Sequence, residues 1–187
     1  MTSKHSNIPT FNFSQKLHVK TVEIQNSGCV NQVPSPDLDD DTKRWLVVGI
    51  CLHSVISPAL RQYVEPVVTQ VYKAVQQTHR IQTQTYQNYL ERDPPTNKYL
   101  NYESVNENKQ KYGTSKQQYD YKITDAVEFS KLFLLPNMAH YTKFDSTCDT
   151  SALLGIIINI NTFPQNVKID AENVSCYCTL LVKKPNI

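Results

Sequence analysis

Residues 125–160, DAVEFSKLFLLPNMAHYTKFDSTCDTSALLGIIINI, hold the densest apolar material in this chain. In the last part of the stretch Leu153, Ile156, Ile157 and Ile160 recur at helical spacing, while Leu154 and Ile158 occupy the opposite side. A helix that is apolar on nearly every side must be enclosed on nearly every side. Four isoleucines in a short run fit a buried strand as well as a helix, and spacing alone does not separate the two. The flanks favour a helix. Asp149 or Thr150 can accept from the free amides of a first turn, and Pro164 can open a further helix after Asn161, Thr162 and Phe163. Upstream, Asp125 with Glu128 three residues on has the form of a capping box. Ala126, Phe129, Leu132 and Phe133 follow on one face until Pro136 stops the run. Two adjacent core helices are expected.

The length of 187 residues suits one domain, and 40% hydrophobic residues suffice for a core if most of the chain contributes. Four glycines, eleven tyrosines and many Asn and Gln fit helices joined by polar connections better than the glycine-rich turns of a sandwich or barrel. A net charge of +2 does not by itself imply a polyanionic partner. Five cysteines, an odd number with no secretory leader before them, argue for free thiols in a reducing compartment. No apolar run reads as membrane-spanning in length, so a soluble, cytoplasmic protein is expected, with no membrane or DNA partner.

Residues 1–36 read as a flexible arm, with a brief strand-like alternation of Leu17, Val19, Val22 and Ile24. Helical order begins at Asp39, Asp40 and Asp41, which suit the positive end of a helix. Trp45, Val48, Leu52 and Val55 make one stripe, and Ser57 followed by Pro58 reads as the end of this helix and the start of another. In that second helix Leu60, Val64, Val67, Val68, Val71 and Val75 form a core-facing surface, with Pro66 as an expected kink. After the central stretch Val167, Ala171 and Val174 give a short amphipathic face. The pattern then changes, so the domain is drawn at 37–175 and 176–187 are set apart as a divergent tail.

From 78 to 122 the periodicity is lost, yet a structureless connection this long is uncommon, so part of it should be ordered against the helices. Its tyrosines interleave with lysines, and Lys98, Tyr99, Tyr102, Lys109 and Lys111 are the candidate RNA-binding residues, able to stack bases and hold phosphates. The preferred reading is that the tyrosines anchor the connection and keep their hydroxyls in water. Cys176 and Cys178, with Cys148 and His140 upstream, make only a loose ligand set, so no metal and no cofactor are expected. His53 reads as a core or rim histidine, His140 has no fixed acidic or nucleophilic partner, and Asp145 and Asp149 read as a turn residue and a cap. No phosphate loop, dinucleotide fingerprint or zinc-protease motif is present.

The segments RWLVVGICLHSVISPALRQYVEPVVTQVY, PPTNKYLNY and DAVEFSKLFLLPNMAHYTKFDSTCDTSALLGIIINI, with FPQNVKIDAENV after them, resemble a HEPN-like helical region. It is the kind found in ubiquitin ligases of the DAZ-interacting zinc-finger type and in uncharacterised invertebrate proteins, and the resemblance covers about residues 43–174. It implies an all-α bundle, often placed in larger intracellular or defence-related proteins. It also implies RNA cleavage by an Arg followed after four to six residues by a His, usually across a homodimer. Here Arg44, Arg61, Arg80 and Arg92 have no histidine at that spacing, and SCYCTLLVKKPNI stands where the family's late helix runs on. The expectation is a C-terminally truncated HEPN-like bundle with no catalytic residue assigned, acting as a protein-interaction module toward a copy of itself or another intracellular protein. The alternatives are an RNA-binding or RNA-cleaving domain, or a fragment of a larger ubiquitin-ligase-like or defence protein.

Overall fold

Proline position and helix caps decide where the helices begin and end. The fold is seen in a computed structural model that describes residues 40–182, without the side chains of 41, 45 and 177–182. The expected arm at 1–36, with its strand-like alternation, lies outside the described residues. Among the described residues the chain is helical, and its only strand-like pairing is one isolated antiparallel bridge between Arg92 and Tyr99.

Helix α1 (Asp40–Cys51) passes through a π turn (Leu52–Ile56) into α2 (Ser57–His79) without a break. The expected stop at Ser57 and Pro58 is therefore corrected. Ile56 keeps right-handed helical backbone and carries no cap, and the Ser57 N–H and hydroxyl both donate to Leu52 O. Pro58 brings no N–H, and its ring would crowd the carbonyl four residues back in a tight α turn. The extra residue of a π turn opens the helix at that point. The uninterrupted helix Thr42–His79 is 38 residues long and holds an 18-residue window of mean hydropathy 1.2, of which 12% is buried. By length and composition it is apolar enough to cross a membrane, a property that reading a break at Ser57 had hidden. Core helices of water-soluble proteins meet the same criterion.

Along α2 Leu60, Val64 and Val68 are buried and Val67, Val71 and Val75 are partly buried against the core, as their spacing predicts. Tyr63 and Tyr72 are buried beside them and meet Phe163 and Phe129 at ring-centroid distances of 5.6 and 6.0 Å. The polar connection after α2 contains two short helices, α3 (Glu103–Asn106) and α4 (Asn108–Tyr112). It is followed by α5 (Ala126–Lys131), whose cap is the predicted one: Asp125 accepts from Glu128 N–H at 2.8 Å. Helix α5 ends at Lys131, short of Pro136. Leu135 is extended, as the residue before a proline prefers, and Pro136 opens a 3-10 turn instead of ending the helix.

Helix α6 (Thr150–Asn159) is the center of the fold. Asp149 accepts from Ala152 N–H at 2.8 Å, and every residue from Ala152 to Ile157 is buried. It packs between α2 and α7 (Gln165–Val182), which follows Pro164. On α7 Ala171 is buried and Val167 and Val174 are partly buried, and the helix continues past residue 175 to Val182.

Gly155 lies where α6 crosses the turn after α5: an added Cβ would stand 2.7 Å from Leu134 Cδ2 and 3.1 Å from Met138 Cε. Alanine gains about 1 kcal/mol of helix propensity, which offsets a small shift of the Leu134 methyl. Gly155→Ala is therefore expected to stay near neutral in urea unfolding, while Gly155→Leu loses about 2–3 kcal/mol through overpacking.

Candidate pocket beside the tyrosine-rich connection

The segment Asp93-Pro94-Pro95-Thr96-Asn97-Lys98 folds back on itself. Two prolines restrict its backbone, and Asn97 takes the left-handed conformation (φ 56°) that asparagine tolerates. The buried Asp93 carboxylate accepts from Thr96 Oγ1 at 2.6 Å, and Asp93 N–H donates to Lys98 O at 2.9 Å. This turn delivers Lys98 and Tyr99 to the surface. Arg92 lies over one face of the Tyr99 ring, 3.6 Å from its centroid, and donates to Asn97 O at 2.9 Å.

Behind the turn is a pocket of about 350 Å³. Leu132, Phe133 and Leu134 form its floor, Leu135 and Met138 one side, and Lys98, Tyr99, Asn101 and Asn159 its rim. Lys98 Nζ donates to Asn159 Oδ1 at 3.3 Å, and Asn159 Nδ2 donates to Phe133 O at 3.1 Å. Asn101 N–H donates to Leu132 O at 2.8 Å and its side-chain amide to Leu134 O at 3.0 Å.

The five candidate RNA-binding residues do not share this site. Lys98 and Tyr99 line it. Lys109 and Lys111 are exposed on α4 and do not line it. Tyr102 is buried: its hydroxyl donates to Leu90 O at 2.8 Å and accepts from Gln84 Nε2 at 3.1 Å. Gln84, itself buried, also donates to Tyr121 O at 2.9 Å. Tyr89 stacks on Tyr121 with centroids 4.1 Å apart, and both meet Tyr102 edge-on. The tyrosines anchor the connection as expected, but the Tyr102 hydroxyl is held by protein and not by water.

The sequence reading missed Asn101, Asn159, Leu135, Met138 and Lys168. For Lys168 a signal existed, since it lies three residues before Ala171 on the face that α7 buries. Its side chain is 8% exposed, and its pKa is pushed down by burial and, next, by the nearby Lys98 charge.

The remaining reactive side chains stand apart. His53 and His140 are exposed, so His53 is not a core histidine. Cys148 is fully buried, and burial with the Asp149 charge pushes its thiol up to about 12. A thiol held protonated in this way is a poor nucleophile and ligand. Asp145 makes a turn, accepting from Thr147 N–H at 2.9 Å and Thr147 Oγ1 at 2.6 Å. Those two bonds are the main cause of its lowered pKa. Among the described residues no three His, Cys, Asp or Glu side chains are grouped as metal ligands. No family model, no curated protein and no solved structure matches the chain.

Burial raises the phenol pKa of Tyr63, Tyr72, Tyr89, Tyr102, Tyr121 and Tyr141. Above pH about 10 the unfolded chain ionises these phenols first and so binds fewer protons than the folded one. Stability is therefore complete below that pH and is lost as pH rises above it. Urea midpoints are expected to fall steadily from pH 10 to 12, these limits being approximate. Tyr102→Phe should cost about 1–2 kcal/mol at neutral pH, by leaving Leu90 O and Gln84 short of a partner, and should make the alkaline slope shallower.

Proposed function

We propose that this chain is a non-catalytic, HEPN-like helical module, and that a second copy of the chain occupies the apolar side of α1 and the π turn. The observation that carries the reading is exposure. Leu46, Val47, Ile50 and Val55 are each between 54% and 59% exposed. Leu46 and Ile50 are four residues apart, and Val55 follows after five, the spacing that keeps one side through a π turn. Among the described residues α1 runs on into that turn and contributes nothing to the buried core. An exposed apolar row of this kind marks an interaction surface. The HEPN resemblance supplies the occupant, because domains of that family usually act in pairs.

The magnitudes favour a weak pair. Covering four half-exposed aliphatic side chains gains about 1 kcal/mol each, so two copies gain about 8 kcal/mol. Association costs about 4–15 kcal/mol. At the low end of that cost about 4 kcal/mol remains, so a dimer forms only at about millimolar concentration.

The RNA-binding reading has the shared position of Lys98 and Tyr99 in its favour. Against it, Tyr102 is enclosed and one face of Tyr99 is taken by Arg92, which leaves one open aromatic face where single-strand binding uses several.

Light scattering across a concentration series tests the reading. The mass is expected to rise toward twice the monomer value, and Val47→Glu with Ile50→Glu to hold the chain monomeric with an unchanged urea midpoint. A monomer at every concentration, or a dimer indifferent to the two glutamates, would refute it.

A further inference from the structure

The pocket beside Tyr99 shares none of the α1 row, and its chemistry is different. Its floor is held in place. Leu132 and Leu134 are buried, and the carbonyls of Leu132, Phe133 and Leu134 all accept hydrogen bonds from Asn101, Asn159 and Ser104. The floor therefore cannot fall inward to fill the space. At the mouth Leu135 is 63% exposed and Tyr99 64%, so two large side chains stand open to water.

The charge on the rim is that of Lys98. Lys98 Nζ has a neutral partner, Asn159 Oδ1, and forms no ion pair among the described residues. Lys168 does not line the pocket, and the charges of Asp93 and Glu172 act on it as well as that of Lys98. An ammonium on the rim without a carboxylate partner is stabilised by an anion, and the apolar wall beside it selects what the anion is attached to.

We propose that this pocket binds an apolar group that carries a carboxylate. The apolar part lies on Leu134, Leu135 and Met138, and the carboxylate accepts from Lys98. The volume is at the low end for small-ligand sites, enough for one side chain with its carboxylate or for a medium-chain acid. Asn101 spends its side-chain amide on Leu134 O, and its Oδ1 has no donor among the described residues. That oxygen can accept the amide N–H that adjoins the carboxylate at the C-terminus of a peptide. A hydrophobic peptide C-terminus and a free aliphatic acid share the recognised chemistry.

Methyl-labelled full-length chain, titrated by NMR, tests the proposal with four probes: an acetylated tripeptide ending in leucine, its C-terminal amide, octanoate, and a uridine hexanucleotide. The free acid is expected to give saturable shifts at the methyls of Leu134, Leu135 and Met138, with the amide about tenfold weaker. Lys98→Met should weaken the acid by a similar factor while the remaining methyl spectrum stays unchanged. Octanoate equal to the peptide acid would identify a free acid as the source, and a tighter peptide would identify a C-terminus. Equal binding of acid and amide, indifference to Lys98→Met, absence of saturable shifts at these methyls, or tighter binding of the hexanucleotide there would each overturn it. None of these results depends on whether the chain dimerises through α1.

Discussion

A helix with no polar side cannot lie on a surface, and α6 imposes that condition on everything around it. From Ala152 to Ile157 it is buried on all faces, so α2, α7 and the turn after α5 have to surround it. Its ends are where polar groups can be satisfied. Asp149 closes the N-terminal end by accepting from Ala152, and Thr150 bridges to Ser57 on α2 at 2.6 Å. At the other end Asn159 ties Phe133 O to Lys98. The pocket rim is thus a consequence of how the central helix terminates.

The connection between α2 and α5 is held by a different kind of force. It is polar, and its order comes from side chains that stand in for missing backbone pairing. Gln84 links Leu90, Tyr102 and Tyr121, and Asn108 exchanges hydrogen bonds with the backbone of Asp120 in both directions, each at 2.8 Å. Each such bond contributes only about 1 kcal/mol, but an unpaired buried group costs about 1–3 kcal/mol, so the network is stable as a whole and intolerant of single losses.

Legibility in the sequence follows the range of the interaction. The caps of α5 and α6 could be read because a carboxylate and the amide three residues on are local partners. The face of α2 could be read because its spacing reports a single apolar neighbour. Ser57 could not: serine before proline has the form of a helix start, and only the π turn, in which its N–H and hydroxyl both donate to Leu52 O, carries the helix through. Tyr102 looked like an exposed stacking residue because Gln84 and Leu90, which enclose it, are separated from it by 18 and 12 residues. The pocket was half legible. The PPTNKYLNY segment placed Lys98, Tyr99 and Asn101 together, while the floor and Asn159 come from two other parts of the chain.

The two surfaces differ in how much order they already have, and this sets what each can do. The pocket floor is anchored by buried leucines and paired carbonyls, so a ligand entering it orders little beyond itself, and most of its interaction energy appears as affinity. Helix α1 has little tertiary support among the described residues, so a partner must both cover its side chains and hold the helix in place. The first arrangement suits selection of one small chemical group. The second suits a broad, adaptable and weak contact. A chain that combines a rigid small-group site with a loosely supported apolar helix has the physical means to recognise a ligand and to associate by separate surfaces. Nothing in the geometry requires one event to wait for the other.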